Sequence, residues 1–243
     1  MEESLRTLLE LQDTKPDRVA IFDDGSPDEQ KYRLLKRHFG SDALDFISFR
    51  PGVGYGNSYQ MAWKYAEVFN PQQCVFWESD YLARRNGIDI VLDVLKAYPK
   101  IVGVVGFAHQ NAYQSMGDGP GDFKSQHGDI KLNWSSGTSG TCYLNWPTIK
   151  EMRQRQPSEW DKFFASCFNQ TRGPIGGVDD GRFSSGMRDI YGKLFGRQNY
   201  GQNECWINIV PSIALHVTGG GLNCGGVEGE VHPFCHPIGW PAA

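Results

Sequence analysis

Arg18-Val-Ala-Ile-Phe-Asp-Asp-Gly-Ser26 is a short apolar run that ends in carboxylates, and Cys74-Val-Phe-Trp-Glu-Ser-Asp80 repeats the pattern further along the chain. A short apolar run bounded by turn-forming residues predicts a buried strand. Open α/β sheets bind their ligands at the carboxyl ends of such strands. The two stretches therefore predict an α/β fold whose carboxylates meet a ligand at one edge of the sheet.

The composition indicates a globular domain with a large core. The chain has 243 residues, of which 40% are hydrophobic, and its net charge is -4. This charge argues against general binding of nucleic-acid phosphates. No apolar stretch reaches the roughly 20 residues of a membrane span, and the acidic start Met1-Glu-Glu-Ser4 lacks the features of a signal peptide. We therefore expect a cytoplasmic protein without a membrane span.

The first half of the chain alternates between predicted strands and predicted helices. Strands are predicted at 19–22, 44–49, 74–77 and 101–105, and helices at 4–11, 26–38, 58–69 and 88–97. This alternation predicts a mostly parallel sheet flanked by helices. Residues 106–129 carry no period and are expected to form an irregular surface excursion. Further strands are predicted at 141–145 and 205–215, and further helices at 147–154, 160–168 and 179–195.

The first carboxylate group consists of Asp23 and Asp24, which are followed by Gly25 and Ser26. One interpretation is nucleotide recognition, in which Asp23 accepts a hydrogen bond from the base and Asp24 accepts one from the ribose. The other is a plain turn, because Asp and Gly are common turn residues and Ser26 is a good helix N-cap. The residues by themselves leave both interpretations open.

The second carboxylate group, Glu78-Ser79-Asp80, follows a run that should be buried, so its carboxylates emerge from a rigid strand end. Rigid placement suits a metal site. The expected form is Mg²⁺ or Mn²⁺ bound by one or two carboxylates together with substrate phosphates. A solvated acidic turn is the alternative. The metal interpretation predicts a cation that neutralises a nucleotide diphosphate.

The order of these motifs resembles that of the inverting family 2 glycosyltransferases, which have the GT-A fold. Asp23-Asp24-Gly25-Ser26 with Asp28 matches the first motif of that family. Arg50-Pro-Gly-Val-Gly-Tyr-Gly-Asn57 keeps the glycines and the asparagine of the second motif but lacks its arginine. Glu78-Ser79-Asp80 resembles the DxD motif, with Glu in place of the first Asp. The resemblance implies a Rossmann-like GT-A fold with a mixed, mostly parallel sheet flanked by helices, and it is best over residues 16–105.

The resemblance also implies an organisation for the whole chain. It implies one domain over residues 1–243, with a nucleotide-sugar-binding half at about 16–105, an irregular acceptor-binding half at about 106–217 and a C-terminal tail at 218–243. The residues expected to bind the nucleotide-sugar are Asp23, Asp24, Gly25, Ser26, Gly52, Asn57, Glu78 and Ser79.

Two further roles follow from the same resemblance. Val178-Asp179-Asp180-Gly-Arg182 resembles the acidic pair that supplies the general base, which makes Asp179 or Asp180 the expected catalytic residue. Acidic residues favoured by a helix N-terminus are the alternative. His216 follows an apolar run and resembles the histidine that completes the metal shell with Asp80. A purely structural histidine is the alternative there.

The implied function is transfer of a sugar from a nucleotide-diphosphate donor, such as a UDP-sugar, to an acceptor hydroxyl, with inversion and with Mn²⁺ or Mg²⁺ as cofactor. A nucleotidyltransferase is a second possibility, although the usual Gly-rich signature and basic residue after the first strand are missing. A non-catalytic nucleotide-sugar-binding module is a third. The acceptor is expected to be soluble: a glycan, a small molecule or a modified nucleobase in DNA.

Overall fold

The structure, a computed structural model, describes residues 2–25, 44–79, 81–106, 119–135, 141–168, 180–196, 205–210 and 212–216. The strands are β1 (Val19–Asp23), β2 (Leu44–Ser48), β3 (Gln73–Phe76), β4 (Tyr81–Ala83), β5 (Gly103–Val105), β6 (Gly121–Ser125), β7 (Gly128–Trp134), β8 (Cys142–Asn145), β9 (Trp206–Val210) and β10 (Ala214–His216). The helices are α1 (Glu2–Leu9), α2 (Tyr55–Phe69), α3 (Gly87–Ala97), α4 (Trp146–Arg155), α5 (Pro157–Phe168) and α6 (Asp180–Phe195). The chain is therefore an α/β protein.

The largest sheet has six strands in the order β3-β8-β5-β9-β7-β6. Only β5 and β9 run parallel among its neighbouring strands, and the other pairs run antiparallel. The prediction of a mixed sheet is therefore confirmed, and the prediction that it is mostly parallel is wrong, because most of its strand pairs run antiparallel. The reason is the position of β8, which lies between β3 and β5 and runs opposite to both. That pairing joins segments far apart in the sequence.

The hairpin formed by β6 and β7 is a second departure from the sequence prediction of an irregular excursion over residues 106–129. The two strands pair antiparallel from Gly121 opposite Leu132 to Ser125 opposite Gly128. Gly128 has a φ of 127°, which favours glycine at the start of β7. Ile130 and Leu132 are buried while Lys131 between them is exposed. Burial that alternates from one residue to the next is typical of a strand. The neighbouring glycines and polar residues hide this alternation in the sequence.

β1 and β2 form a separate two-stranded parallel sheet. Their register places Asp23, the last residue of β1, opposite Ser48 at the end of β2. α2 packs against β1. The chain that leaves β2 therefore enters a loop beside the carboxyl end of β1 before α2 begins. The helix predicted at 26–38 lies outside the described residues.

A further two-stranded sheet pairs β4 with β10 in antiparallel orientation. The pairing places the backbone of His216 opposite that of Tyr81. Tyr81 directly follows Asp80 in the sequence. The end of β10 is thus held beside the segment that carries the second carboxylate group.

Helices cover both faces of the six-stranded sheet. On one face, α2 and the helices from α4 to α6 enclose a core around Trp63, whose ring contacts those of Trp146, Trp160 and Phe183. On the other face, α3 packs through Val94 and its neighbours against β5, β7 and β9. The prediction of an α/β protein with a sheet flanked by helices is confirmed. None of the helices in the described ranges has the length and apolar character that a membrane span requires.

Candidate functional site

Asp23 is buried at the edge that β1 shares with β2. Its Oδ2 atom lies 2.9 Å from Nη1 of Arg50, and the hydroxyl of Ser48 donates a hydrogen bond to it at 3.2 Å. The Asp23 side chain is 2% exposed and the Arg50 side chain 36% exposed. The ion pair offsets the cost of burying the carboxylate, while the guanidinium reaches the surface. Parallel pairing explains the contact, because Ser48 lies opposite Asp23 and Arg50 follows two residues later.

Asp24 is exposed and organises the loop that precedes α2. Its Oδ1 atom accepts hydrogen bonds from the backbone N–H groups of Val53 at 2.6 Å and Gly54 at 3.0 Å. Charge-assisted bonds to backbone N–H groups are among the stronger hydrogen bonds in proteins. The carboxylate therefore fixes the position of the loop relative to the end of β1.

Two glycines allow the backbone that follows β1 to approach the backbone of the 50–55 segment closely. A Cβ atom on Gly52 would lie 2.9 Å from the backbone oxygen of Asp24, and one on Gly25 would lie 3.1 Å from Cα of Gly52. Gly25 also has a φ of 85°, a conformation that side chains other than hydrogen disfavour. The structure thus brings together the predicted site residues Asp24, Gly25 and Gly52.

Glu78 is half-buried just beyond the end of β3. The hydroxyl of Tyr55, the first residue of α2, donates a hydrogen bond to Oε1 of Glu78. The backbone N–H of Tyr81 donates to the backbone oxygen of Glu78 at 3.3 Å, and Ser79 between them is exposed. The second carboxylate group is therefore connected to the start of α2.

Residues 50–55, called here the 50–55 loop, contact both carboxylate groups. Arg50 pairs with Asp23, two backbone N–H groups of the loop bind Asp24, and Tyr55 binds Glu78. One short segment thus joins the carboxyl ends of β1 and β3. Arg50 and Tyr55 are not among the site residues that the sequence predicts. Arg50 comes two residues after the end of β2. Because parallel strands end at the same edge of a sheet, that position could have indicated a contact with Asp23.

Asn57 lies in the first turn of α2, next to the 50–55 loop. It is exposed, and its side-chain amide donates a hydrogen bond to the backbone oxygen of Val53 at 2.7 Å. The bond ties the first turn of α2 back to the 50–55 loop. A contact between Asn57 and the nucleotide-sugar stays a prediction.

The helix that begins at Asp180 packs against α2. Phe183, one turn later in α6, lies 6.4 Å from the ring of Tyr59 and 5.6 Å from that of Trp63, measured between ring centroids. Tyr59 in turn lies 6.0 Å from the ring of Tyr55. A chain of aromatic contacts therefore runs from the start of α6 to the residue that binds Glu78.

Several predicted site residues lie outside the described part of the chain. Ser26, Asp80 and Asp179 do so entirely. Asp180 and His216 belong to α6 and β10, but their side chains are outside the described residues. For these two residues only the backbone position is described, and the predicted roles of all five residues stay predictions.

A second group of potential metal ligands lies elsewhere in the described residues. Oxygen or nitrogen atoms of Asp13, Asp89 and His127 lie within 4.8 Å of one another. Asp13 is exposed, and the amide of Asn86 bridges it to His127, with 3.3 Å to Oδ2 of Asp13 and 2.8 Å to Nδ1 of His127. Such a cluster is common on protein surfaces and does not by itself indicate a metal.

Asp89 in this cluster has a structural role. Its two carboxylate oxygens accept hydrogen bonds from the backbone N–H groups of Asp13 at 3.0 Å and Thr14 at 2.9 Å. Burial raises the pKa of Asp89, but the bonds from Thr14 and Asp13 outweigh it and hold the pKa below the ordinary value. The carboxylate thus fastens the segment after α1 to the first turn of α3.

Two of the described cysteines are poor nucleophiles. Burial raises the pKa of Cys74, on β3, and of Cys205, just before β9, to about 12. Both groups are therefore protonated thiols at neutral pH, and the thiolate is the form that acts as a nucleophile. The described site offers oxygen ligands and hydrogen-bond donors rather than a thiolate.

Comparisons of the chain with protein-family models, with curated proteins and with solved structures found no match.

Proposed function

We propose that this chain is a metal-dependent glycosyltransferase with a GT-A-like domain, which moves a sugar from a nucleotide diphosphate to an acceptor hydroxyl. The observation that supports this most is the 50–55 loop, which contacts Asp23, Asp24 and Glu78. A nucleotide diphosphate carries a nucleoside at one end and an anionic linkage at the other. A loop that joins two carboxylate groups at strand ends suits a ligand of this shape.

The nucleoside end would lie at the carboxyl end of β1. In this proposal Asp23 and Asp24 accept hydrogen bonds from the base and ribose. Asp24 offers exposed oxygens. Asp23 is buried behind the partly exposed guanidinium of Arg50, which would have to move aside for a direct contact. Gly25 and Gly52 let the backbone approach closely there. We also propose that Ser26 and Asn57 contact the nucleotide-sugar, on the basis of the sequence motifs alone.

The diphosphate end would lie beside Glu78, Ser79 and Asp80, with His216 brought near by the pairing of β10 with β4. Carboxylate oxygens are the ligands that Mg²⁺ and related hard cations prefer, so these residues fit the proposed ion. When bound, Mn²⁺ or Mg²⁺ would supply positive charge to the departing diphosphate.

The acceptor would react on the side of α6. In the proposed reaction, Asp179 or Asp180 takes the proton from the acceptor hydroxyl as its oxygen attacks the anomeric carbon. The bond to the donor oxygen breaks, and the nucleoside diphosphate leaves with the electron pair. Attack opposite the leaving group inverts the anomeric configuration. The packing of Phe183 on Tyr59 supports this arrangement, because it holds the start of α6 close to α2.

A thermal-shift screen tests the donor site. We expect UDP or another nucleoside diphosphate at about a hundredfold excess over its Kd to raise the Tm by roughly 5–10 °C with Mn²⁺ present. Asp80→Ala should abolish the Mn²⁺-dependent part of the shift, whereas His127→Gln should retain it. The opposite result for these two variants would move the metal to the Asp13–Asp89–His127 cluster and contradict the proposal.

Product analysis tests the reaction class. Incubation of the chain with nucleotide-sugars and Mn²⁺ should release free nucleoside diphosphate, slowly by hydrolysis even without an acceptor. Release of pyrophosphate from nucleoside triphosphates would instead indicate nucleotidyl transfer. Donor binding without any turnover of the donor would indicate a binding module. Soluble glycans, small molecules and DNA with modified nucleobases are the acceptors to compare.

A further inference from the structure

Tyr55 is linked to the second carboxylate group by its hydroxyl and by its ring. The hydroxyl donates a hydrogen bond to Oε1 of Glu78. The ring lies 6.0 Å from that of Tyr59, which stacks at 4.8 Å on the ring of Phe76 at the end of β3. Phe76 precedes Glu78 by two residues. The same group of aromatic rings therefore packs near both ends of the hydrogen bond.

We propose that Tyr55 is a positioning residue, which holds the Glu78 carboxylate in the orientation that a divalent cation and a diphosphate require; this rests on the proposed function. A carboxylate has about four lone-pair sites, so one hydroxyl donor orients it and leaves capacity for further partners. Hydrogen bonds of this kind to metal-site carboxylates are worth about 10- to 100-fold in metal affinity. The motif resemblance assigns no role to Tyr55.

The other end of α2 provides a matched control. The hydroxyl of Tyr65 donates a hydrogen bond to Oδ2 of Asp45, so it too joins α2 to a carboxylate. Arg18 pairs with the same carboxylate. The two tyrosines are ten positions apart in the helix, which corresponds to a rise of about 15 Å. Tyr55→Phe and Tyr65→Phe therefore remove the same chemical group from the same helix, at different distances from Glu78.

The experiment measures the Mn²⁺ concentration that gives half of the UDP-dependent rise in Tm for the full chain. Tyr55→Phe should raise that concentration about tenfold or more, because the Glu78 carboxylate loses the hydrogen bond from the Tyr55 hydroxyl. Tyr65→Phe should leave it within about twofold of the wild type. Equal concentrations for Tyr55→Phe and the wild type would overturn the proposal, and so would equal increases in the two variants.

A measurement on the wild-type chain covers the case in which Tyr55→Phe does not fold. With ¹³C-labelled tyrosine, bound Mn²⁺ and UDP should broaden the ring signals of Tyr55 far more than those of Tyr65. Equal broadening, or broadening of Tyr65 alone, would overturn the proposal. A wild-type chain without any Mn²⁺-dependent binding of nucleoside diphosphates would contradict the proposed function itself. Normal wild-type binding with an unaffected Tyr55→Phe would contradict only the role of Tyr55.

Discussion

The 50–55 loop and the aromatic core around Trp63 are joined by one helix, α2, but are built from opposite kinds of contact. The loop is held by an ion pair, two backbone bonds to Asp24 and one tyrosine hydroxyl. Trp63 is fully buried and touches aromatic rings from β3, α4, α5 and α6. Apolar burial dominates stability, whereas exposed polar groups are available to a ligand. The core therefore fixes α2, and α2 presents the loop.

The largest expected effect is on the core. Trp63→Ala should lower the free energy of unfolding by about 3–5 kcal/mol, because it leaves a large cavity among packed rings. Urea denaturation followed by circular dichroism measures this. Val68→Ala on the same helix is the control, since Val68 is 78% exposed and its loss should change stability by at most about 0.5 kcal/mol. Similar losses in the two variants would contradict the division between core and loop.

A substitution in the 50–55 loop should reduce donor affinity more than it reduces stability. Gly52→Ala places a Cβ atom 2.9 Å from the backbone oxygen of Asp24, so one backbone must move. We expect donor affinity to fall about tenfold, while the free energy of unfolding falls by only about 1–2 kcal/mol. Titration calorimetry with UDP and Mn²⁺ measures the affinity.

Gly196→Ala is the control for that experiment. Gly196 has a φ of 80° and nothing within 4 Å of a Cβ atom, so the substitution strains the backbone away from the loop. It should cost about 1–2 kcal/mol of stability and leave donor affinity unchanged. A parallel loss of affinity in Gly196→Ala would mean that general destabilisation, rather than the loop, controls donor binding.

Asp89→Asn should lower stability at neutral pH by about 1–2 kcal/mol, because one of two backbone donors loses its carboxylate acceptor. The folded pKa of Asp89 lies below the unfolded one, so its contribution is complete above about pH 4. That contribution is lost as the pH falls through the folded pKa. The stability difference between wild type and Asp89→Asn should therefore shrink on acidification. A difference that grows below pH 4 would contradict this assignment.

Asn57→Ala should have the smallest effect. The variant loses the hydrogen bond from the Asn57 amide to the backbone oxygen of Val53, which is worth about 1 kcal/mol or less at an exposed site. We expect donor affinity to fall by less than about threefold in the same calorimetric titration. A loss above tenfold would instead support the direct donor contact that the sequence predicts.

The sequence predicted the local elements of the fold better than their pairing. Apolar runs located β1, β2 and β3, and helical spacing with end signals located α2, α3 and α6. The expectation of buried strands was wrong in part, because β1 is half-buried before Asp23 and Val75 of β3 is exposed. The mostly antiparallel sheet was not predicted, since it depends on β8 entering between β3 and β5. β4 is too short to show a pattern, and glycines and polar residues obscured the hairpin of β6 and β7.

Some of the predicted site residues lie near one another because they follow strand ends. Asp23, Asp24 and Gly52 do lie together, as expected for segments that follow parallel strands. Tyr55 was missed because it stands among glycines at a predicted loop, where a tyrosine has no distinctive spacing. Its contact with Glu78 depends on the packing of α2 against β3 through Tyr59 and Phe76. No local sequence pattern predicts tertiary contacts of that kind.

A crystal structure of the chain with UDP and Mn²⁺ tests most directly whether the 50–55 loop serves one ligand that spans both carboxylate groups. We predict uridine against Asp23 and Asp24, the diphosphate beside Glu78, and manganese bound by Asp80 and His216. Manganese at Asp13, Asp89 and His127, or UDP bound away from the 50–55 loop, would contradict the account.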